Sequence, residues 1–428
     1  MKFALIQPQW SFAGSTYFGC TETHLPLELL YARQQLEAAG HETLLLDAHL
    51  AGMDLAQAAA AVRAFAPDFT VVTTAPTYLF WRCPQPELRV PAAWMRALRL
   101  AAPRAVQVAI GPHGSATPAA AAAKLGADTV IVGEADQVLA QLASHPWSQV
   151  PGCFVAGAAP PRLPPAQADL QALGPLDYSR YPLHRRQHQH HVFSGTGRGA
   201  EVEFSRGCPW ACTFCNKTLF RNRFRERAVS ALLTEVETLA QHGIGYVYFI
   251  DEIFGCSRQT AELLDGLAQL PVRFGMQTRI DLWQESSLEQ LGRAGCISME
   301  CGIESVTPEG RDRFRKGCSL STDRIQQLLL TARRAVPWVQ ANLIADEQDD
   351  LDAIERWRRQ LVEAGVWVSQ PVPVYPFPGT PLYQKLFGAP DDQAWERAHA
   401  RYLQVKEGRG YLSDLQDPLP QPLAALER

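Results

Sequence analysis

The sequence predicts an α/β protein in which two arrays of alternating strands and helices follow one another. Short apolar runs alternate with helical segments over the first 140 residues, and this alternation resumes after about residue 200. Residues from about 141 to 195 are rich in proline, alanine and histidine and have only weak periodicity, which is typical of a linker. A chain of 428 residues also exceeds the size at which a single core usually stops growing, so we expect more than one domain.

The first array is predicted to be a doubly wound sheet of the flavodoxin type. Its helices include the segment 25–41, where Leu29, Ala32 and Leu36 recur at helical spacing and Gly40 provides a stop. Sheets of this kind bind ligands at the carboxyl ends of their strands, where residues 8–20, 74–81, 111–115 and 133–134 lie. The predicted strands are KFALIQ (2–7), TLLLDA (43–48), FTVVTTA (69–75), VQVAIG (106–111) and DTVIVG (128–133).

The second array is predicted to be a partial (β/α)6 barrel of the TIM type. Helices separate its strands; the segment 228–243, for example, is predicted to have one apolar face made of Val229, Leu232, Leu233, Val236 and Leu239. The active site of such a barrel lies at the carboxyl face of the strands. The predicted strands are EVEFS (201–205), YVYFID (246–251), RFGMQTRI (273–280), SMECGIES (298–305), VQANLIA (339–345) and SQPVPVYPF (369–377).

Charge and composition exclude several classes of function. The net charge is −4 and no long Lys/Arg run occurs, which disfavours nucleic-acid binding and binding to a membrane surface. We find neither a cationic leader nor an apolar run of 18 residues, so we expect a cytoplasmic protein without a membrane segment. Ten cysteines, most of them scattered singly, do not suggest a disulfide framework and are consistent with a reducing compartment.

Three cysteines lie close together directly after the first barrel strand. Cys208, Cys212 and Cys215 form a CxxxCxxC pattern, which leaves one position of a four-ligand site open. A zinc site would need a fourth ligand, for which His190 or His191 is the nearest candidate. An iron–sulfur cluster held by three thiolates would instead keep one iron free for another ligand. The position after a barrel strand, the tight path through Gly207 and Pro209, Phe214 before the last cysteine, and the lack of a downstream CxxC or HxxxH partner favour the cluster.

This motif resembles the signature of the radical S-adenosylmethionine (radical SAM) enzymes. The wider pattern is similar to the branch with an N-terminal cobalamin-binding domain, and the resemblance spans about residues 1 to 385. It implies a Rossmann-like cobalamin domain over 1–140, a linker over 141–195, a radical SAM barrel over 196–385, and a helical, proline-rich extension over 386–428. The segments that carry it are SRGCPWACTFCNK, YVYFIDEIF, GMQTRIDL, ECGIES, YPFPGTPLY, HLPLELLYARQQLEAAGHETLLLDA, AIGPHGSATP and VIVGEADQVL.

The resemblance implies three cofactors and a radical reaction. Cys208, Cys212 and Cys215 would ligate a [4Fe-4S] cluster whose remaining iron binds S-adenosylmethionine. Reductive cleavage would yield a 5′-deoxyadenosyl radical, and cobalamin would deliver a methyl group to the substrate. A flavodoxin- or ferredoxin-type donor would supply the electron.

The resemblance also implies individual binding residues, each with a structural alternative. Near S-adenosylmethionine these are Phe214, Asp251, Glu252, Arg279 and Glu304. Asp251 and Glu252 could instead cap the next helix, and Arg279 and Glu304 could form a structural ion pair. For cobalamin they are Tyr78, Trp81, Gly111, His113, Ser115, Gly133 and Glu134, and core packing and ordinary glycine turns are the alternatives.

The function expected from these features is cobalamin-dependent methylation of an unactivated carbon, or of phosphorus, in a small metabolite. Two alternatives stay open: a radical enzyme whose cobalamin domain transfers no methyl group, and a zinc-stabilised α/β binding protein. Residues 341–350, ANLIADEQDD, stand where relatives commonly carry a Gly- and Pro-containing segment, so the S-adenosylmethionine pocket is expected to differ there.

Overall fold

A computed structural model describes residues 1–10, 23–76, 88–158, 163–186, 197–219, 221–346, 348–372 and 374–409. The chain divides into two compact units. The first unit comprises Met1–Asp169 together with Tyr375–Arg428, and the second comprises Leu170–Val374. The boundaries predicted from the sequence, at 140, 195 and 385, stay a prediction.

The strands and helices follow each other in β/α order in both units. The strands are β1 Lys2–Gln7, β2 Glu42–Asp47, β3 Phe69–Thr73, β4 Val106–Ile110, β5 Thr129–Ile131, β6 Cys153–Val155, β7 Arg198–Val202, β8 Ser205–Arg206, β9 Arg225–Glu226, β10 Ile244–Phe254, β11 Arg273–Thr278, β12 Cys296–Glu304, β13 Trp338–Leu343 and β14 Trp367–Val368. The helices are α1 Leu27–Ala38, α2 Ala48–Ala51, α3 Leu55–Phe65, α4 Arg89–Ala101, α5 Pro112–Ala116, α6 Pro118–Leu125, α7 Val229–Gln241, α8 Thr260–Leu267, α9 Glu285–Arg293, α10 Pro308–Arg313, α11 Thr322–Ala335, α12 Leu351–Glu363, α13 Pro381–Phe387 and α14 Ala394–Arg409.

The first unit is built on a sheet with the strand order β2-β1-β3-β4-β5-β6. Strands β1 to β5 are parallel, in the 2-1-3-4-5 order of a doubly wound, flavodoxin-type sheet, as predicted. β6 pairs antiparallel with β5 and comes from the segment that the sequence indicated as a linker. The helix predicted over 25–41 is α1, and α14 contributes Trp395 to the apolar core of this unit.

The second unit carries a sheet with the order β14-β13-β12-β11-β10-β7, in which neighbouring strands are parallel. This is the six-stranded partial barrel predicted from the sequence. α7 buries Val229, Leu232 and Val236 as the helical spacing predicted. The last strand lies earlier than expected, at 367–368, and Pro371 within the predicted strand cannot donate a ladder hydrogen bond.

The strand expected at 201–205 is also displaced. β7 begins at Arg198 and ends at Val202, and the chain then leaves the sheet to form β8, which pairs antiparallel with β9. The backbone N–H groups of Phe204 and Ser205 donate to the Asp251 carboxylate instead of to a neighbouring strand. A side chain from β10 thus ends the first barrel strand. No helix in the described residues has the length and apolarity needed to cross a membrane.

Candidate functional site

The cysteine loop comprises residues 207–224. The antiparallel pair of β8 and β9 holds its two ends together. Gly207 opens it with φ +85°, and a Cβ at this position would overlap the carbonyl oxygen of Arg223. The Cys208 N–H donates to the carbonyl of Arg221 at 3.1 Å, which ties the first cysteine to the returning chain. The tight path predicted for Gly207 is therefore required by a close backbone approach.

A buried lysine holds the loop from inside. The Lys217 ammonium donates to the carbonyl oxygen of Cys208 at 2.6 Å and also to that of Trp210. The Cys215 N–H donates to the carbonyl of Cys212 at 3.2 Å, which closes a turn between the second and third cysteines. Lys217 is only 4% exposed, so its charge lies within the loop rather than in solvent. These contacts fix the backbone that carries the three thiols.

The three thiols differ in burial. Cys208 is buried, and Cys212 and Cys215 are half-buried. Burial raises the pKa of both Cys212 and Cys215 above the ordinary thiol value, and Lys316 offsets part of this increase at Cys212. Because only the thiolate binds a metal, metal binding at these residues releases protons. No group of His, Cys, Asp or Glu side chains in the described residues is arranged to hold a single metal ion, whereas a cluster offers each thiolate its own iron.

Asn216, directly after the third cysteine, carries a buried polar atom that no described residue satisfies. Its side chain is 5% exposed, and its Oδ1 has no hydrogen-bond partner among the described residues. A buried acceptor without a donor costs about 1–3 kcal/mol, so such atoms in folded proteins call for a ligand, a water or a functional reason. An unsatisfied acceptor beside Cys215 fits a site that receives a hydrogen-bond donor from a bound group.

Arg279, at the end of β11, reaches the cysteine loop. Its guanidinium lies 4.2 Å from the ring centre of Trp210, pairs with Asp281 at 2.7 Å and donates to the carbonyl of Lys316 at 2.6 Å. It also contributes to the electrostatic environment of the Cys212 thiol. The structural ion pair considered for Arg279 is present, with Asp281 rather than Glu304 as its partner.

Glu304, at the end of β12, has a strained backbone. Its φ is +67°, a conformation that costs a non-glycine residue about 1–3 kcal/mol. The carboxylate pairs with Lys316 at 3.0 Å, and a Cβ at Gly302 would lie 2.5 Å from its Oε1. Both Glu304 and Lys316 act on the charge environment of Cys212. The strained residue, Glu304, is therefore one whose charge acts on a thiol of the cysteine loop.

Asp251 and Glu252, near the end of β10, both contact the backbone that enters the loop. Asp251 accepts from the N–H groups of Phe204 at 3.1 Å and Ser205 at 2.6 Å and from the Ser205 hydroxyl, and Glu252 accepts from the Gly207 N–H at 2.7 Å. Burial raises the pKa of Asp251 to about 7, against the opposing effect of these hydrogen bonds. Neither residue caps the next helix, because α8 begins at Thr260, so that alternative is wrong. Contact with S-adenosylmethionine stays a prediction for both.

Phe214 fixes the far side of the loop. Its ring packs edge-on against Phe314 with the ring centres 5.7 Å apart, and the Thr213 N–H donates to the carbonyl of Phe314 at 3.0 Å. Phe314 follows α10, so this contact holds the third cysteine near the segment that carries Lys316. A role for Phe214 at a cofactor stays a prediction.

A buried ion network beside the loop was not predicted from the sequence. Glu203 pairs with Arg206 at 2.8 Å and lies 3.8 Å from Arg221, which also pairs with Glu252. These side chains are almost completely buried. Arg206 and Arg221 flank the cysteine motif, so the sequence itself places them near it. Their acidic partners could not be predicted in this way, because they come from the ends of β7 and β10.

The first unit gathers predicted cobalamin residues at the carboxyl ends of β4 and β5. The Ser115 hydroxyl donates to the carbonyl of Gly111 at 2.8 Å and accepts from the Gly133 N–H at 2.9 Å. The Glu134 carboxylate accepts from the Ala168 N–H at 2.8 Å. The structure therefore brings Gly111, Ser115 and Gly133 together, and it places Glu134 against the backbone that follows β6.

His113 is fully buried and contacts a residue that sequence analysis missed. Its Nδ1 lies 3.1 Å from the Thr74 hydroxyl oxygen, and its ring centre is 4.5 Å from that of Trp395. The Trp395 indole N–H donates to the Thr117 hydroxyl at 2.7 Å. No local pattern in residues 386–428 indicated that a side chain of this segment would enter the first unit. Tyr78 and Trp81 lie outside the described residues.

Comparison with known families identifies the second unit. Residues 202–357 match the Radical SAM superfamily, a range that begins at the end of β7 and includes the cysteine loop. The resemblance predicted from the cysteine motif is therefore confirmed by this match.

Curated relatives include two enzymes named for methyl transfer. The chain is 30% identical over 187 residues to the hopanoid C-3 methylase of Methylococcus capsulatus, which covers 42% of this chain and 35% of that protein. It is 24% identical over 319 residues to the bacteriochlorophyllide d C-8(2)-methyltransferase of Chlorobaculum tepidum, covering 70% of this chain and 66% of that protein. The chain thus spans between about a third and two thirds of the length of these relatives.

Two solved structures share the fold over most of the chain. TsrM from Kitasatospora setae, a radical S-adenosylmethionine methyltransferase solved with tryptophan and a SAM analogue, gives a TM-score of 0.74 at 18% identity and covers 90% of this chain and 75% of its own. The cobalamin-dependent radical enzyme OxsB, solved with aqua-cobalamin and S-adenosylmethionine, gives 0.71 at 14% identity and covers 96% and 67%. The predicted combination of a doubly wound domain and a radical SAM barrel is therefore confirmed as the fold.

Proposed function

We propose that this protein is a cobalamin-dependent radical SAM methyltransferase that acts on an unactivated carbon, or on phosphorus, of a small metabolite. The observation that carries the proposal is the cysteine loop at the carboxyl end of the barrel, within the matched radical SAM range. The two curated relatives named for methyl transfer support the choice of methylation. The fold shared with OxsB, which was solved with aqua-cobalamin and S-adenosylmethionine, supports the use of cobalamin.

The residues of the loop fit a cluster that binds a further ligand. Cys208, Cys212 and Cys215 would hold a [4Fe-4S] cluster, and Lys217 would keep their backbone in place. The unsatisfied Oδ1 of Asn216 would accept a hydrogen bond from a donor on S-adenosylmethionine. When bound, these groups supply a 5′-deoxyadenosyl radical, while methylcobalamin supplies the methyl group; the protein positions them and excludes water.

The charged residues around the loop would orient S-adenosylmethionine. Arg279 offers a guanidinium whose plane is fixed by Trp210 and Asp281, a preorganised arrangement that suits a carboxylate. Glu304 and Lys316 provide a carboxylate and an ammonium at the next strand end. Asp251 and Glu252 would act indirectly, since their contacts hold the entry of the loop.

In the first unit, Gly111, Ser115 and Gly133 would receive the cobalamin. Gly111 and Gly133 have φ +126° and +100°, backbone conformations at the ends of β4 and β5 that other residues rarely adopt. His113 would support this edge through Thr74. A flavodoxin- or ferredoxin-type protein would supply the electron.

The experiment is turnover of methyl-labelled S-adenosylmethionine by anaerobically purified, reconstituted protein with cobalamin and a strong reductant. We expect a brown protein with iron and sulfide, and formation of both 5′-deoxyadenosine and S-adenosylhomocysteine. Replacement of Cys208, Cys212 and Cys215 by alanine should remove the iron, the sulfide and both products.

Cys256→Ala is the matched control, because it removes a half-buried thiol of the same unit outside the motif. It should keep its iron. A colourless zinc protein, or turnover that survives the triple replacement, would contradict the proposal. Formation of 5′-deoxyadenosine without S-adenosylhomocysteine would instead indicate radical chemistry without methyl transfer.

A further inference from the structure

One face of the second sheet is polar although it is buried. Tyr248, Gly275, Ser298 and Trp338 lie in one row of the strand register, and Gln277, Glu300 and Gln340 lie in another. We call the following side chains the polar face: Tyr246, Tyr248, Gln277, Ser298, Glu300 and Gln340. The residues between them in sequence, such as Val247, Met276 and Met299, are apolar and belong to the opposite face.

Direct contacts confirm that these side chains share one face. The Tyr248 hydroxyl donates to Glu300 at 3.2 Å, and the Gln277 amide donates to the other oxygen of Glu300 at 3.1 Å. A Cβ at Gly275 would overlap the Tyr246 hydroxyl and would lie 3.1 Å from the Cβ of Ser298. Glycine at 275 thus lets the Tyr246 hydroxyl cross towards Ser298.

The polar face lines the inside of the barrel. Right-handed crossovers place the helices on one side of a parallel sheet, and these helices bury leucine, isoleucine and valine. The apolar face is the one that suits them, so the polar face is turned inward. TIM-type barrels commonly fill this interior with branched aliphatic residues, which makes a polar interior informative.

A buried ion pair lies at the amino-terminal end of the polar face. Arg186 pairs with Glu201 on β7 at 2.9 Å and donates to the carbonyl of Gly199 at 2.9 Å, and both charged side chains are fully buried. Glu201 lies in the same row as Tyr248. The polar face therefore begins at this pair and extends towards the carboxyl ends of the strands.

Ser298 is the member of the polar face that points to a ligand. It is fully buried, and its Oγ has no hydrogen-bond partner among the described residues. A serine kept without a partner in this position costs free energy that alanine would not. Glu300 follows two residues later on the same face, and Glu304, beside the cysteine loop, lies about 13 Å further along β12 at 3.3 Å per residue.

We propose that the polar face is the substrate subsite, and that the substrate is a water-soluble metabolite whose amino or hydroxyl group donates to Glu300 and whose next polar group meets Ser298. This inference rests on the proposed function. It separates this protein from an enzyme for a polycyclic hydrocarbon, because buried hydrogen-bonding groups reject a ligand that leaves them unpaired.

The test compares two sets of candidate substrates with reconstituted holoenzyme. The polar set consists of free amino acids, amino sugars and nucleosides, and the apolar set consists of squalene, a triterpene alcohol and a porphyrin methyl ester in detergent. The readouts are 5′-deoxyadenosine formed above the substrate-free level and label transferred from methyl-labelled S-adenosylmethionine. We expect a member of the polar set to stimulate both.

Two variants then test whether the stimulation by substrate depends on the polar face. Ser298→Ala and Glu300→Gln should each lower the stimulation at limiting substrate by at least about tenfold, the effect of losing roughly 1.4 kcal/mol of binding. Substrate-free cleavage of S-adenosylmethionine should stay within about twofold, and Ser298→Ala should not lower the melting temperature, because a merely structural serine would have had a partner. Met299→Leu, on the opposite face between the two, is the matched control and should behave as the unmodified protein.

Stimulation by the apolar set alone, stimulation by neither set, or an undiminished response in both variants would overturn the inference. Absence of substrate-free 5′-deoxyadenosine from the unmodified protein would overturn the proposed function instead. The two failures are therefore distinguishable.

Discussion

The two candidate sites differ in how their polar groups are satisfied. At the carboxyl edge of the first unit, the Ser115 hydroxyl bonds both to the Gly111 carbonyl and to the Gly133 N–H, so these two backbone groups have partners within the protein. At the cysteine loop, the Asn216 acceptor is left without a partner among the described residues, and Glu304 is strained. The Ser115 contacts are thus preformed in the first unit, whereas the loop keeps an unsatisfied acceptor for what it binds.

Glycine substitutions test most directly whether the two sites are separate. In both Gly207→Ala and Gly133→Ala the new Cβ would overlap a backbone carbonyl oxygen, at φ +85° and +100°. Left-handed strain alone costs about 1–3 kcal/mol, and backbone overlap adds to it. We expect Gly207→Ala to lose nearly all its iron after reconstitution, and Gly133→Ala to keep its iron but bind cobalamin weakly. Iron analysis and cobalamin titration measure the two effects.

Gly40→Ala is the matched control, since Gly40 has φ +80° but no atom within 4 Å of its added Cβ. It should keep both iron and cobalamin. Equal loss of both cofactors in Gly207→Ala and Gly133→Ala would contradict the separation of the two sites.

A second, smaller effect is expected at Trp395. This side chain is fully buried in the first unit and donates to Thr117, so Trp395→Ala should destabilise that unit by about 3–5 kcal/mol. Hydrogen exchange should show faster exchange in peptides of residues 1–169 and little change in those of 170–374. Trp367→Ala removes a tryptophan that is 43% exposed, and it should change neither set appreciably. Faster exchange confined to residues 170–374 in Trp395→Ala would contradict this assignment.

The sequence predicted what depends on local pattern. The alternation of apolar runs identified β1 to β5 and β10 to β13, because period and chain direction are properties of neighbouring residues. The resemblance of the motif around Cys208, Cys212 and Cys215 likewise predicted the match to the Radical SAM superfamily. Gly207 was singled out for its tight path, and the structure supplies the reason.

The parts that were not predicted depend on residues far apart in the chain. Trp395 reaches His113 across more than 250 positions, and Lys316 meets Glu304 through a loop without any motif. Asp251 was expected at a ligand or a helix cap, yet it ends β7 by accepting the N–H groups of Phe204 and Ser205. The direction in which a strand-end carboxylate turns depends on the neighbouring strand, and no local pattern in the sequence gives that information.

The smallest expected effect concerns the pH dependence of the second unit. Burial raises the folded-state pKa of Asp251 from 3.8 to about 7, so the folded protein retains a proton that the unfolded chain releases. The contribution of this group to stability is therefore fully present below about pH 4 and is lost as the pH rises towards 7. Chemical unfolding of the protein without cluster, followed by exchange in the second unit, should show stability falling over this interval.

Asp251→Asn should flatten that decline, because an amide does not titrate. It should also lower stability throughout, since its NH2 group replaces one of the two oxygens that accept from the Phe204 and Ser205 N–H groups. Glu226, beyond the loop at β9, offers a comparison: Glu226→Gln changes a carboxylate of the same unit without touching the end of β7 and should leave the decline in place. If the stability of Asp251→Asn fell as steeply between pH 4 and 7 as that of the unmodified protein, another group would have to hold the proton that folding retains. Asp251 would then be an ionised anchor of the cysteine loop rather than a neutral one.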